Sequence, residues 1–151
     1  MKTLVIYKSY HHQNTYRLIK HLKDKYNFEL LNVDEIDNNL DLSKYDYIGL
    51  ASGIYGFEFH KNIISLISKR NINNKKVFLI FTSCLDKASF ASSIKKELLR
   101  FNNEIIGVYH TKGYTTFGPL KFFGGVNKNR PNESDFVNLD LFLEKYLFLV
   151  K

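Results

Sequence analysis

The segment Ser9-Tyr10-His11-His12-Gln13-Asn14-Thr15 stands between an apolar run and a helical pattern, and it gathers hydroxyl, amide and imidazole groups in one turn. Backbone N–H groups at the start of a helix lack partners within it, and the helix dipole adds partial positive charge there. Ser9, Asn14 and Thr15 add side-chain donors at the same place. Such a turn is suited to gripping an anion, a phosphate above all. Two other chemistries compete with this one. His11 and His12 are adjacent, but a zinc site takes three or four ligands and the spacing supplies no third, so no metal is expected. Cys84, at the end of a later apolar run, acts as a nucleophile only with a lowered pKa and a neighbouring base; otherwise it is a small packing residue. The lack of a Gly-x-Gly-x-x-Gly and of a Gly-Lys-Ser/Thr argues against a dinucleotide fingerprint and an NTPase loop.

These residues must be positioned by the elements around them. Thr3 to Lys8 reads as a buried strand, and from Asn14 the positions Leu18, Ile19, Leu22 and Tyr26 recur at helical spacing. Phe28 to Val33 is a second strand, and Asp34 to Tyr45 is a polar connection with at most one helical turn. Asp46 to Ser52 is a third strand, after which Gly53 and Gly56 punctuate the chain and Phe59, Ile63, Ile64 and Ile67 mark a second helix. Lys76 to Thr82 is apolar without alternation, as in a strand buried on both faces. Phe90, Ile94, Leu98 and Phe101 mark a third helix, and Glu104 to His110 a fifth strand. A long loop rich in Gly and aromatics precedes the last helix. Pro131-Asn132 with Asp135 signals that helix's start, and Phe136, Leu139, Phe142, Leu143 and Tyr146 form its stripe. Phe122 and Phe123 are expected to close the core beneath it. Alternating strands and helices call for a parallel sheet covered on both faces, in a single domain spanning residues 1–151.

The 151 residues, 44% of them hydrophobic, suffice for a core and exclude a disordered chain. No apolar run is long enough to cross a bilayer, and the apolar start is too short for a signal peptide, so a cytoplasmic protein is expected. The single cysteine agrees with a reducing compartment. The net charge of +7 is spread along the chain and reads as a solvated surface, so no nucleic-acid partner is expected.

In an open parallel sheet, ligands bind beyond the carboxyl ends of the strands, where the strand order reverses. That rule brings Ser9 to Thr15, Ser52 to Phe57, Thr82 to Lys87 and Thr111 to Pro131 to one crevice.

The segment Ser9 to Thr15 resembles the phosphate loop of flavodoxins, a hydroxyl-rich turn ending in Asn-Thr that wraps the phosphate of FMN. Gln13 stands where that family usually has glycine, and the loop is one residue longer. SGIYGFEFHKNI (Ser52 to Ile63) resembles the family's loop after the third strand. TKGYTTFGPLKFFGGVNKNRPNESD (Thr111 to Asp135) resembles its extended loop before the last helix. The resemblance therefore covers nearly the whole chain. It implies a three-layer α/β flavodoxin-like fold, with a five-stranded parallel sheet of order 2-1-3-4-5 and helices on both faces.

The resemblance also implies roles. Ser9, Tyr10, His11, His12, Gln13, Asn14 and Thr15 would form the turn around the phosphate. Ser52, Gly53, Ile54, Tyr55 and Gly56 would lie along one face of the isoalloxazine ring, with Tyr55 the candidate stacking partner. Thr82, Ser83 and Cys84 would border its other side, which is either open or covered by Tyr114 or Phe117. Asp86 and Glu58 are the nearest acids. The implied function is FMN-based electron transfer to a redox partner protein, or a small oxidoreductase that serves a small electron acceptor; its catalytic residues are unknown. Flavodoxins are typically acidic, and this chain is basic. An alternative keeps the fold without FMN, Gln13 narrowing the turn, and yields a binding or regulatory module. A monomer or homodimer is expected.

Overall fold

The computed structural model describes residues 1–70 and 72–149. Its strands are β1 (Thr3–Lys8), β2 (Glu29–Asn32), β3 (Tyr47–Tyr55), β4 (Glu58–Phe59), β5 (Lys76–Ser83) and β6 (Glu104–Lys112). Its helices are α1 (Asn14–Tyr26), α2 (Lys61–Lys69), α3 (Ser92–Arg100) and α4 (Glu133–Leu143), the last continuing through a π-helical turn, Glu144–Phe148. The parallel strands run in the order β2-β1-β3-β5-β6, which is the expected order once the short β4 is set aside. That strand is a correction: the chain leaving Ser52 does not become a loop but extends β3 to Tyr55 and turns back antiparallel, so that Ile54 pairs with Phe59.

The sheet divides the core in two. Val77, Leu79 and Phe81 of β5 point to one face and meet Ile63 and Ile67 of α2 and Ile94 and Leu98 of α3. Phe78 and Ile80 point to the other and meet Leu18, Ile19 and Leu22 of α1 with Leu139, Phe142 and Leu143 of α4. Alternate residues of β5 thus serve opposite layers, which explains its unbroken apolar run. The helix ends follow local chemistry. Asn132 accepts from the Asp135 N–H while the Asp135 carboxylate accepts from the Asn132 N–H, a capping box that starts α4 where the sequence placed it. Arg130 and Thr111 also donate to that buried carboxylate, tying β6 and the long loop to α4.

Phe122 and Phe123 contradict expectation, because they are exposed on the long loop rather than beneath α4. Leu139, Phe142, Leu143 and Leu147 already fill that layer. Among the described residues no helix is long and apolar enough to cross a membrane.

Candidate functional site

A cavity of about 540 Å³ opens at the carboxyl ends of β1, β3, β5 and β6, beside the point where the chain switches sides of β1. Its size falls in the ~300–1,000 Å³ range of small-molecule sites. The turn into α1 forms one wall, through Ser9, Tyr10, His11, Asn14 and Thr15. The β3–β4 hairpin forms another, through Gly53, Ile54, Tyr55 and Gly56, and Thr82, Ser83 and Cys84 close a third side. All of these were expected from the sequence. Phe57, Leu85, Gly113 and Tyr114 to Phe117 also line it, all within the segments that the strand-end rule assigns to the crevice, and the structure adds Phe90. Among the described residues, none lining the cavity is Asp, Glu, Lys or Arg.

The turn before α1 has two consecutive left-handed residues, His12 (φ 52°) and Gln13 (φ 55°). A non-glycine residue there costs about 1–2 kcal/mol, so tertiary contacts must hold it. Ser9 Oγ accepts the Tyr16 N–H at 3.2 Å, and the Asn14 N–H donates to the His11 carbonyl. Gln13 Nε2 folds back to the Tyr10 carbonyl at 3.2 Å. Its side chain is exposed and does not line the cavity, so it adopts the backbone of a glycine without narrowing the site.

The two histidines diverge. His11 lies on the cavity side, its ring 6.2 Å from that of Tyr55. His12 turns away, bonding Thr116 Oγ1 at 2.9 Å and lying 4.1 Å from the Tyr114 ring. It latches the long loop and does not line the cavity, contrary to expectation. Among the described residues no group of three His, Cys, Asp or Glu could hold a metal ion.

Behind the turn, Thr15 and Thr82 share a buried hydroxyl hydrogen bond of 2.9 Å that joins α1 to β5. Asn14 is buried, and its Nδ2 donates to the Tyr114 carbonyl at 2.8 Å. That carbonyl fixes the amide's orientation and leaves Oδ1 buried without a partner.

The hairpin turns on Gly56 (φ 59°) and Phe57 (φ 69°), the left-handed pair of a type I′ turn. Phenylalanine is unusual at such a place, and its ring is 76% exposed at the mouth. Tyr55 folds back across Gly53, its hydroxyl 3.0 Å from where a Cβ on that glycine would stand. The Tyr10 ring meets Tyr55 edge-on at 5.9 Å, and burial raises the Tyr55 phenol pKa. Ser52, expected on the ring face, is buried and bonded locally. Its Oγ donates to the Gly53 carbonyl and accepts the His60 N–H, stapling the hairpin to the start of α2. His60 Nδ1 accepts from the Asn62 N–H as the cap of α2, and its pKa is lowered by burial and by the charges of Lys8 and Lys61.

The charges around the crevice are engaged elsewhere. Lys8 is buried, pairs with Asp34, and holds its ammonium 4.2 Å from the centre of the Tyr10 ring. Asp86 pairs with His110 at 2.6 Å, and Glu58 accepts from Ser93 at 2.6 Å. Phe90 was missed because by spacing it reads as helix stripe; for Phe57 the crevice was expected but the hairpin turn was not, since a Gly-Phe pair is not a recognised hairpin signal. The close fit of Gly113 against Asn14 was not legible, because its reason is spatial.

Comparison with known proteins points one way. The flavodoxin domain family matches residues 4–115. An uncharacterized protein of Methanocaldococcus jannaschii is 39% identical over 137 residues, spanning 89% of this chain and 91% of its own. Oxidised flavodoxin 1 of Bacillus cereus superposes over 100% of both chains, with a TM-score of 0.68 at 13% identity. A flavoprotein of Lactobacillus acidophilus, solved in complex with FMN, covers 72% of this chain and 92% of its own, with a TM-score of 0.59 at 19% identity.

Proposed function

The chain belongs to the flavodoxin domain family, and from that premise we propose that its crevice binds FMN and that the protein transfers electrons through it. The observation that carries this reading is the lining of one cavity, which joins the hydroxyl- and amide-bearing turn and the start of α1 to the rings of Tyr55, Phe57 and Phe90. A phosphate suits the first group, and a planar aromatic ring suits the second. Asn14 lines the cavity at the start of α1, where a ribityl chain would leave the phosphate. These residues fit FMN.

In this reading Ser9, His11 and the α1 amides bind the phosphate, while Asn14 holds the ribityl chain. Tyr55 and Phe57 exclude water from the ring. When bound, the flavin supplies a redox centre that accepts and releases electrons. Thr82, Ser83 and Cys84 orient polar groups along its edge, and the absence of carboxylates in the lining spares added negative charge from repulsion. The narrowed, FMN-free alternative loses its reason, because Gln13 lies outside the cavity. A cytoplasmic setting is consistent with the lone Cys84.

Protein purified from flavin-replete cells should be yellow and release one FMN per chain on denaturation. Colourless protein that also ignores added FMN would remove the proposal. Stopped-flow mixing of the loaded protein with NADH or NADPH separates the two forms of the function: slow reduction marks a carrier served by a partner, and fast reduction marks an oxidoreductase.

A further inference from the structure

The long loop presents a surface that the crevice does not use. After Phe117 the chain makes a short 3-10 turn, Gly118–Phe123, closed by Gly124. On it Phe117, Phe122 and Phe123 are 76%, 80% and 84% exposed. Three phenyl rings held in water within seven residues mark a surface built to meet an apolar phase. The segment is not a loose tether. Thr115 and Val126 exchange backbone hydrogen bonds of 3.0 and 2.9 Å, the Gly125 N–H donates to the Leu120 carbonyl, and Asn127 Nδ2 donates to the Cys84 carbonyl.

The loop's own charge is of one sign. From Gly113 to Asn132 there is no carboxylate, and the cations are Lys121, Lys128 and Arg130. Arg130 is engaged by Asp135, while Lys121 and Lys128 are exposed. The Lys121 ammonium stands 5.3 Å from the centre of the Phe122 ring.

We propose that this loop docks on the surface of an anionic lipid bilayer. Phe117, Phe122 and Phe123 enter the interface, and Lys121 and Lys128 meet the headgroup phosphates. Two other occupants fit less well. The cores of protein interfaces favour Arg and are depleted of Lys, and here the free cations are lysines. A second copy of the chain would set Lys121 and Lys128 against their like. Rings on a short turn reach only the interface, so the protein lies on the bilayer rather than spanning it. Because Phe117 also lines the crevice, docking sets the mouth at headgroup depth, within reach of an apolar redox molecule dissolved in the lipid. That consequence rests on the proposed function; docking itself does not.

Flotation of the purified full-length protein with vesicles tests the proposal, comparing phosphatidylcholine alone with an equal mixture of phosphatidylcholine and phosphatidylglycerol. The protein should float with the mixed vesicles, more weakly as salt rises, and hardly at all with the neutral ones. Replacing Phe122→Ala together with Phe123→Ala should lower the partition coefficient at least about tenfold, with thermal unfolding and FMN titration unchanged. Lys121→Glu with Lys128→Glu should remove the preference for the anionic lipid. The proposal is overturned if the wild type stays with neither vesicle, or if the phenylalanine pair can be removed without loss. It is equally overturned if that pair instead dissolves a dimer, or if soluble polyglutamate binds as tightly as the vesicles and needs the same rings.

Discussion

Asn14 and Gly113 are fitted to each other: a methyl group on Gly113 would stand 2.7 Å from Asn14 Nδ2. Only glycine lets that amide reach the Tyr114 carbonyl and keep Asn14 in its place in the cavity lining. Gly113→Ala should therefore displace Asn14, lowering stability by about 1–2 kcal/mol and FMN affinity about tenfold. Urea unfolding and flavin titration check the two effects, and an alanine that changes neither would refute the fit.

The Thr15–Thr82 hydrogen bond is buried, so losing one hydroxyl strands the other. Thr15→Val should cost about 1–3 kcal/mol. The double change Thr15→Val with Thr82→Val should cost less than the two single changes added together. A double-mutant cycle in urea measures this coupling, and strict additivity would mean that the pair is not a unit.

Phe57 holds a left-handed backbone that Asn tolerates better. Phe57→Asn should stabilise the protein by about 0.5–1 kcal/mol while loosening FMN, because the ring at the mouth is lost. Stability and affinity moving in opposite directions would mark strain retained for function. If both fall, Phe57 is ordinary packing.

His60 supplies the pH dependence. Folding lowers its pKa, so the neutral ring is the form the native state prefers. The stability it contributes is complete above the ordinary histidine value of about 6.5 and is lost as pH falls below that toward the lowered native value. His60→Asn, which keeps an uncharged cap for α2, should flatten this part of the profile. Urea midpoints for both proteins at neutral and mildly acidic pH test it, and parallel profiles would contradict it.

Much of the scaffold was legible because its signals are local and periodic. Leu18, Ile19 and Leu22 mark α1, and the Asn132–Asp135 box marks the start of α4. The walls of the crevice followed from strand order, since the carboxyl ends of parallel strands must share one edge. What stayed hidden depends on direction. Left-handed residues at His12 and Gln13 send their side chains away from the cavity, and nothing in those residue types announces it. Ser52 is polar at a strand end, yet local hydrogen bonds turn it inward. Phe122 and Phe123 look like core by hydropathy, because an apolar side chain carries no mark of which phase it will meet.

Titrating the apoprotein with FMN and, in parallel, with riboflavin tests the central claim most directly. If the turn from Ser9 to Thr15 grips the phosphate, FMN fluorescence should quench at one equivalent per chain, and riboflavin should bind at least about tenfold more weakly. Equal affinity for the two flavins, or no quenching by either, would contradict the account.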